Sequence, residues 1–156
     1  MSNIEEDVRL IPVTKEDPDV LSVFWELGRD YLSDLPPDER ERFLKSILAR
    51  QGERDRWLLL LRSGDEYIGL VHMKIDREER PGWGFILEFY IVPDKRRLGW
   101  GTRLFNLVVA ILKDRHVKNI WLLTNQRAKP FWLSLGFKET GEIDKETGQI
   151  IMIKSL

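Results

Sequence analysis

Residues Tyr90–Phe105, which read YIVPDKRRLGWGTRLF, give the strongest indication of the fold. Apolar residues give way at Val92-Pro93 to a basic run, two glycines flank one tryptophan, and apolar residues then return at helical spacing. The first part is typical of a buried strand and the last part of an amphipathic helix that begins near Thr102. The sequence therefore predicts a strand, a basic glycine-containing loop and a helix in direct succession.

This loop combines the features of an anion site. The start of a helix leaves N–H groups unpaired and carries a partial positive charge, and glycines keep side chains away from those groups. Full charges come from the basic residues Lys95, Arg96, Arg97 and Arg103. We interpret the loop as a cradle for a phosphate or pyrophosphate; the alternative is an ordinary loop with a solvated basic run.

Two nucleotide-binding motifs are missing from the loop. It lacks the Gly-Lys-Ser/Thr ending of a P-loop, so nothing supplies the hydroxyl that binds Mg²⁺. It also lacks the three-glycine dinucleotide fingerprint. A nucleotide-dependent phosphotransferase is therefore a weak alternative.

Composition sets further limits on the 156 residues, a length that fits a single domain over residues 1–156. Lys and Arg number 25 against 26 Asp and Glu, which argues against a general nucleic-acid binder. The absence of cysteine excludes disulfides and thiolate metal sites, and two histidines make a multi-histidine metal site implausible. The polar N-terminus is no signal peptide, and no apolar run approaches the roughly 20 residues of a membrane span. We expect a cytoplasmic protein without membrane, nucleic-acid or metal partners, a monomer or homodimer.

Periodicity and turn residues predict a mixed α/β fold with strand, two helices, three strands, helix, strand, helix and two strands. The predicted strands are Val8–Val13, Arg56–Arg62, Tyr67–Asp76, Gly84–Val92, Asn119–Thr124, Phe137–Ile143 and Gln149–Ile153, and the predicted helices begin after Asp17 and at Pro36–Pro37 and cover Thr102–Arg115 and Lys129–Leu135.

Glu88 is the only charged residue in the otherwise apolar segment FILEFYIV. A buried carboxylate is costly unless it is paired or used, and burial raises its pKa, which suits a general base. Strand alternation places Glu88 and Tyr90 on one face, toward the first two helices. A structural ion pair between Glu88 and an arginine is an equally weighted alternative.

Two motifs carry a resemblance to the GNAT superfamily of N-acetyltransferases. The first is the family's Arg/Gln-x-x-Gly-x-Gly/Ala, and the second is an Asn followed by an Ala, aromatics and Leu-Gly-Phe. Here they are Arg96-Arg97-Leu98-Gly99-Trp100-Gly101 and Asn125, Ala128, Phe131-Trp132, Leu135-Gly136-Phe137. The resemblance runs from Val8 to the C-terminus and is weaker before Tyr67.

The resemblance implies a central, mostly antiparallel mixed sheet of about seven strands with about four helices, splayed between the fourth and fifth strands. It also implies acetyl-CoA as co-substrate, without a metal. The implied coenzyme contacts are Phe89, Tyr90 and Ile91 on the splayed strand, Arg96, Arg97, Leu98, Gly99, Trp100, Gly101 and Thr102 in the loop, and Asn125.

The implied reaction moves an acetyl group directly to a primary amine of a small molecule or protein, through a ternary complex. The catalytic candidates are Glu88 as base, Tyr90 and Trp132. Trp132 stands where the family commonly has an acidic tyrosine, and an indole N–H donates a hydrogen bond without being an acid. Tyr90 or water could then protonate the thiolate; otherwise the protein is a non-catalytic acyl-CoA sensor or interaction module. Trp25, Tyr31 and Trp83 are candidates for the acceptor pocket or simply for the core.

Overall fold

The computed structural model describes residues 7–156, which form seven strands, four α-helices and one 3-10 turn. The strands are β1 (Val8–Pro12), β2 (Arg56–Ser63), β3 (Glu66–Ile75), β4 (Gly84–Ile91), β5 (Asn119–Thr124), β6 (Lys138–Ile143) and β7 (Ile150–Ser155). The helices are α1 (Pro18–Tyr31), α2 (Pro37–Ala49), α3 (Trp100–Asp114) and α4 (Lys129–Ser134), and the 3-10 turn is Pro93–Lys95.

The strands hydrogen-bond in the order β1-β2-β3-β4-β5-β7-β6. Antiparallel ladders join β1 to β2, β5 to β7 and β6 to β7, whereas β4 and β5 run parallel. The parallel ladder pairs Gly84–Ile86 with Ile120–Leu122. The predicted fold class, a mixed and mostly antiparallel seven-stranded sheet with four helices, is confirmed.

By internal packing the chain divides into two compact units. Of the described residues, unit 1 contains residues 7–72 together with Glu88–Gly101, and unit 2 contains Met73–Leu87 and Thr102–Leu156. A single domain over residues 1–156 stays a prediction.

In unit 1, α1 begins where the sequence predicts. Asp17 caps the helix by accepting a hydrogen bond from the Val20 N–H at 3.2 Å, and Pro18 occupies the first turn, where its missing N–H costs nothing. Gly28 brings α2 close, because a Cβ at Gly28 would lie 2.7 Å from a methyl of Leu44. The apolar stripe of α1 and the Leu44 side chain belong to the same buried core.

In unit 2, α3 buries one face of its amphipathic pattern, namely Leu104, Phe105, Val108 and Leu112. The start of β4 packs against this helix, since a Cβ at Gly84 would lie 2.8 Å from Leu112 Cδ1. Among the helices of residues 7–156, none combines the length and apolar composition needed to cross a bilayer.

One boundary differs usefully from the prediction. The helix α3 starts at Trp100 instead of near Thr102, so Trp100 and Gly101 belong to its first turn. The left-handed conformation of Gly99, with φ +86°, ends the loop immediately before the helix. The last two residues of the Arg96–Gly101 motif therefore form the start of α3.

Candidate active site

The loop between β4 and α3 has an unusual backbone. Arg96 is extended, with φ −73° and ψ 155°, whereas Arg97 and Gly99 have positive φ values of 63° and 86°. Leu98 lies between them without a positive φ, so the sign of φ alternates along the loop. Such alternation turns successive N–H groups into one concavity that favours anions.

The donors of this concavity are available. Among the hydrogen bonds of residues 7–156, none has the N–H of Arg97, Leu98 or Gly99 as its donor. The first turn of α3 follows directly and adds the N–H groups and partial positive charge of a helix start. The loop thus presents several main-chain donors to one small volume.

Gly99 is needed for conformation. A Cβ at this position would meet no protein atom within 4 Å, so space does not demand glycine. The positive φ of Gly99 favours glycine, because residues with an L side chain rarely adopt this conformation. The missing side chain also leaves the concavity open to an approaching ligand.

The basic residues of the loop divide into two roles. Lys95 forms an ion pair with Glu66 at 2.9 Å, so its charge is already compensated. The Nε of Arg96 donates to the Ile91 carbonyl at 2.8 Å, and its guanidinium lies 5.4 Å from the centre of the Tyr90 ring. Arg96 therefore ties the loop to β4, whereas Arg97 is exposed beside the concavity.

The backbone of β4 offers one edge to β3. The N–H of Val92 donates to the Ile68 carbonyl at 3.0 Å, and the Tyr90 carbonyl lies against Gly69, where a Cβ would approach it to 2.9 Å. Because main-chain groups alternate along a strand, those of Phe89 and Ile91 point to the opposite edge. On that edge, the Ile91 carbonyl accepts the hydrogen bond from Arg96 Nε.

Glu88 faces α1, as strand alternation predicts. Its Oε2 accepts a hydrogen bond from the hydroxyl of Tyr31, the last residue of α1, at 2.6 Å. Burial raises the pKa of Glu88 to about 7, and the Tyr31 hydrogen bond opposes that rise. Within residues 7–156 the side-chain partner of Glu88 is this phenol, and the arginine ion pair of the structural alternative is not formed.

Tyr90 lies beside this pair on the same face. Its hydroxyl donates to Asp30 at 2.7 Å, and its ring centre is 5.4 Å from that of Tyr31. Burial, and secondly the bond to Asp30, raise the pKa of Tyr90 to about 12. Two tyrosine–carboxylate pairs thus link the end of α1 to β4.

The sequence does not reveal the roles of Asp30 and Tyr31 in this cluster. It offers Tyr31 only as a candidate for the acceptor pocket or the core, and it does not single out Asp30. Their one sequence signal is their position at the end of an amphipathic helix, which many surface residues share.

In unit 2, Asn125 shapes the turn before α4. Its Oδ1 accepts the Ala128 N–H at 2.8 Å and its carbonyl accepts the Lys129 N–H at 3.0 Å. Asn125 is exposed, and its amide carries an NH₂ donor group in addition to the oxygen that shapes the turn. No group of three or more His, Asp or Glu side chains arranged for a metal occurs in the part of the chain that the structure describes.

A model of the acetyltransferase (GNAT) family matches residues 20–137. The chain belongs to the GNAT acetyltransferase family. It is accordingly an N-acetyltransferase enzyme by family, and both quoted motifs lie within the matched residues.

Solved structures repeat the fold of this GNAT enzyme. An acetyltransferase from Thermus thermophilus superposes with a TM-score of 0.76 at 21% identity, covering 96% of this chain and 97% of that one. The PaiA N-acetyltransferase of Thermoplasma acidophilum, in complex with coenzyme A, gives 0.73 at 19%, covering 96% and 99%. The Escherichia coli ribosomal-protein-S18-alanine N-acetyltransferase gives 0.69 at 18%, covering 95% and 93%.

Trp132 of this GNAT enzyme is packed among aromatic rings. It is 6% exposed and meets Phe105, Phe131 and Phe137 in edge-to-face contacts with ring centres 6.2, 4.9 and 5.3 Å away. Such contacts stabilise a core. The position at which the resemblance implies an acidic tyrosine therefore holds a buried packing residue.

Proposed function

We propose that this GNAT enzyme transfers an acetyl group from acetyl-CoA to a primary amine, directly and through a ternary complex. The observation that carries the proposal is the loop of alternating φ between β4 and α3, whose N–H groups at Arg97, Leu98 and Gly99 have no protein acceptor among residues 7–156. A diphosphate supplies the acceptors and the negative charge that such a concavity favours.

The coenzyme contacts follow from the motif positions. The main-chain groups of the loop would hold the diphosphate, and the edge of β4 that faces away from β3 would pair with the pantetheine arm like an added strand. Arg96 would act by anchoring the loop, since its Nε is already bonded to β4. The proposed contacts are Phe89, Tyr90, Ile91, Arg96, Arg97, Leu98, Gly99, Trp100, Gly101, Thr102 and Asn125.

Glu88 would be the general base. A lysine-type amine has a pKa of about 10.4, so it must lose a proton before it attacks. Once the ammonium form has lost one proton to solvent, the neutral nitrogen bonds to the thioester carbonyl carbon and the C–S bond breaks with its electron pair on sulfur. The second proton that the nitrogen loses passes to Glu88 directly or through water. A carboxyl with a pKa of about 7 suits this task near neutral pH.

The thiolate is a good leaving group, so it can depart as the anion and take its proton from bulk solvent afterwards. A thiol has a pKa of about 8.5, whereas the pKa of Tyr90 is raised to about 12 and its hydroxyl proton is directed to Asp30. Proton transfer from Tyr90 to the thiolate is therefore uphill. Trp132 donates at most a hydrogen bond, because an indole N–H is no acid near neutral pH.

Binding and turnover test this function separately. In calorimetry, acetyl-CoA and CoA should bind and ATP should bind far more weakly. A panel of amines that includes polyamines, aminoglycosides, amino acids and N-terminal peptides should then release free thiol with at least one member. Binding without thiol release would support the sensor alternative, and no binding of CoA at millimolar concentration would overturn the assignment of the loop.

Replacing Gly99 with alanine should weaken coenzyme binding at least about tenfold, because a methyl group enters the concavity and each charged hydrogen bond lost costs about 1.5–3 kcal/mol. Gly52→Ala is the matched control: Gly52 has φ +92°, and its Cβ also meets no atom within 4 Å. Both variants carry similar backbone strain. Equal CoA affinities in calorimetry for the two variants would contradict the proposed role of the loop.

The acceptor, the assembly state and the location stay predictions. We expect a small-molecule or protein amine as acceptor, a monomer or homodimer, and a cytoplasmic location, without nucleic-acid, membrane or metal partners. The amine panel tests the identity of the acceptor, and light scattering tests whether the protein is a monomer or a homodimer.

A further inference from the structure

Tyr31 is the last residue of α1, and its hydroxyl reaches a side chain 57 positions away. The bond from this hydroxyl to Glu88 Oε2 measures 2.6 Å, which is the short range of charge-assisted O–H···O⁻ bonds. Tyr31 is half-buried and packs against a core formed by α1, α2, β2 and β3 residues together with Tyr90 of β4.

The position of the Tyr31 ring is fixed by a second tyrosine. The ring of Tyr90 lies against it at 5.4 Å with an interplanar angle of 53°, and Tyr90 is itself bonded to Asp30, the neighbour of Tyr31 on α1. Two crossing links therefore define the geometry. Neither hydroxyl can move without breaking a bond to a carboxylate or displacing the other ring.

The two oxygens of Glu88 differ. Oε2 is bonded to Tyr31, whereas Oε1 has no hydrogen-bond partner among residues 7–156. One oxygen is therefore held by the protein, and the lone pairs of the other are available for a proton.

We propose that Tyr31 is a positioning residue for acetyl transfer, whose hydroxyl fixes Oε2 of Glu88 so that Oε1 receives the proton of the acceptor amine. The proposal rests on the proposed function, because it assigns Tyr31 a task in that reaction. The proton moves from the amine nitrogen to Oε1, while Oε2 keeps its bond to the phenol throughout.

Tyr31 is suited to remain the donor. Burial, followed by the charge of Glu88 and the bond to it, raises the pKa of Tyr31 well above its ordinary value, so the phenol keeps its proton over the working range. The remaining charged groups of the cluster are Asp30 on α1 and Arg96 in the loop, and both act on Tyr90. Burial and the Tyr31 bond are the causes that act on Glu88 itself.

The first measurement uses the ligand-free enzyme, so it does not depend on an acceptor. The carboxyl carbons of ¹³C-labelled glutamate are followed by NMR across pH, with Glu88→Gln identifying the Glu88 resonance. Tyr31→Phe should raise the titration midpoint of Glu88 by about one unit or more, since a hydrogen bond to the charged form is lost. Tyr67→Phe, which removes a phenol hydroxyl elsewhere in unit 1, is the matched control and should leave it unchanged.

The second measurement is the pH profile of acetyl transfer with the best amine of the panel. In Tyr31→Phe the acid limb should move to higher pH by the same amount as the NMR midpoint, with a rate loss of about fivefold at pH 7 for a shift of about one unit, which recovers at high pH. The KM for acetyl-CoA should not change. Recovery at high pH shows that the variant is folded, because a misfolded enzyme stays inactive at every pH.

Three outcomes would overturn the proposal. An unchanged or lower Glu88 midpoint in Tyr31→Phe shows that the bond does not act on the carboxylate. A shifted midpoint with an unshifted rate profile shows that Tyr31 holds Glu88 for packing alone. A wild-type enzyme that releases no thiol with any amine refutes the proposed function and the catalytic task of Tyr31 with it, while the NMR midpoint still reports the bond separately.

Discussion

Replacing Glu88 with glutamine is expected to lower kcat for acetyl transfer by about 10²- to 10⁴-fold, the usual contribution of a positioned acid or base. Glutamine keeps the size of the side chain, and its amide oxygen can still accept the Tyr31 hydrogen bond. It cannot take a proton from the amine. The loss should therefore fall on kcat, with CoA affinity unchanged in calorimetry.

The pH profile gives this prediction a second signature. The base works only when ionised, so the wild-type rate should rise through a pKa of about 7 and the limb should vanish in Glu88→Gln. Glu26→Gln, which removes the same charge from an exposed position on α1, should behave as the wild type. If Glu88→Gln has the same kcat as the wild type from about pH 6 to about pH 9, a range that includes the pKa of Glu88, then Glu88 is not the general base.

The free energy of unfolding of the wild type should depend on pH through Glu88, and Glu88→Gln should lack this dependence. The folded-state pKa of Glu88 is raised to about 7 from an ordinary 4.5. Between these values the folded protein holds the proton more tightly than the unfolded chain. The stabilising contribution of the protonated group is therefore fully present below about pH 4.5 and is lost as pH rises through about 7.

The magnitude follows from the size of the pKa change. One pKa unit corresponds to about 1.4 kcal/mol, so the contribution amounts to about 3 kcal/mol. Since Glu88→Gln does not ionise, its free energy of unfolding minus that of the wild type should increase by about 3 kcal/mol from pH 4.5 to pH 8. Urea denaturation of both proteins at a series of pH values measures this difference. A constant difference would show that the Glu88 carboxyl is not desolvated, and Glu26→Gln again provides the comparison.

Much of the fold was predictable because its signals are local. The capping Asp17 before Pro18 and the amphipathic spacing of α3 each act over a few residues. The order of all seven strands and four helices followed from such signals. Alternation along β4 even placed Glu88 and Tyr90 on the face toward α1, where their partners lie.

Other features of the site were not accessible from the sequence. The basic loop looked like four equivalent cations, yet Lys95 is paired with Glu66 and Arg96 is bonded to Ile91. Whether a cation is compensated depends on what the fold brings beside it. Charge counting alone therefore overestimated the uncompensated positive charge of the loop by that of Lys95, and it did not show that Arg96 is held by a carbonyl of β4.

The succession of strand, glycine loop and helix, and the single carboxylate in an apolar strand, could be read from the amino-acid order because composition and period are local properties of the chain. The contacts of the carboxylate with Tyr31 and of Tyr90 with Asp30 became evident from the folded structure alone. These pairs join residues 57 and 60 positions apart. Contacts at such separations depend on how α1 packs against β4, and no local pattern specifies which side chains meet there.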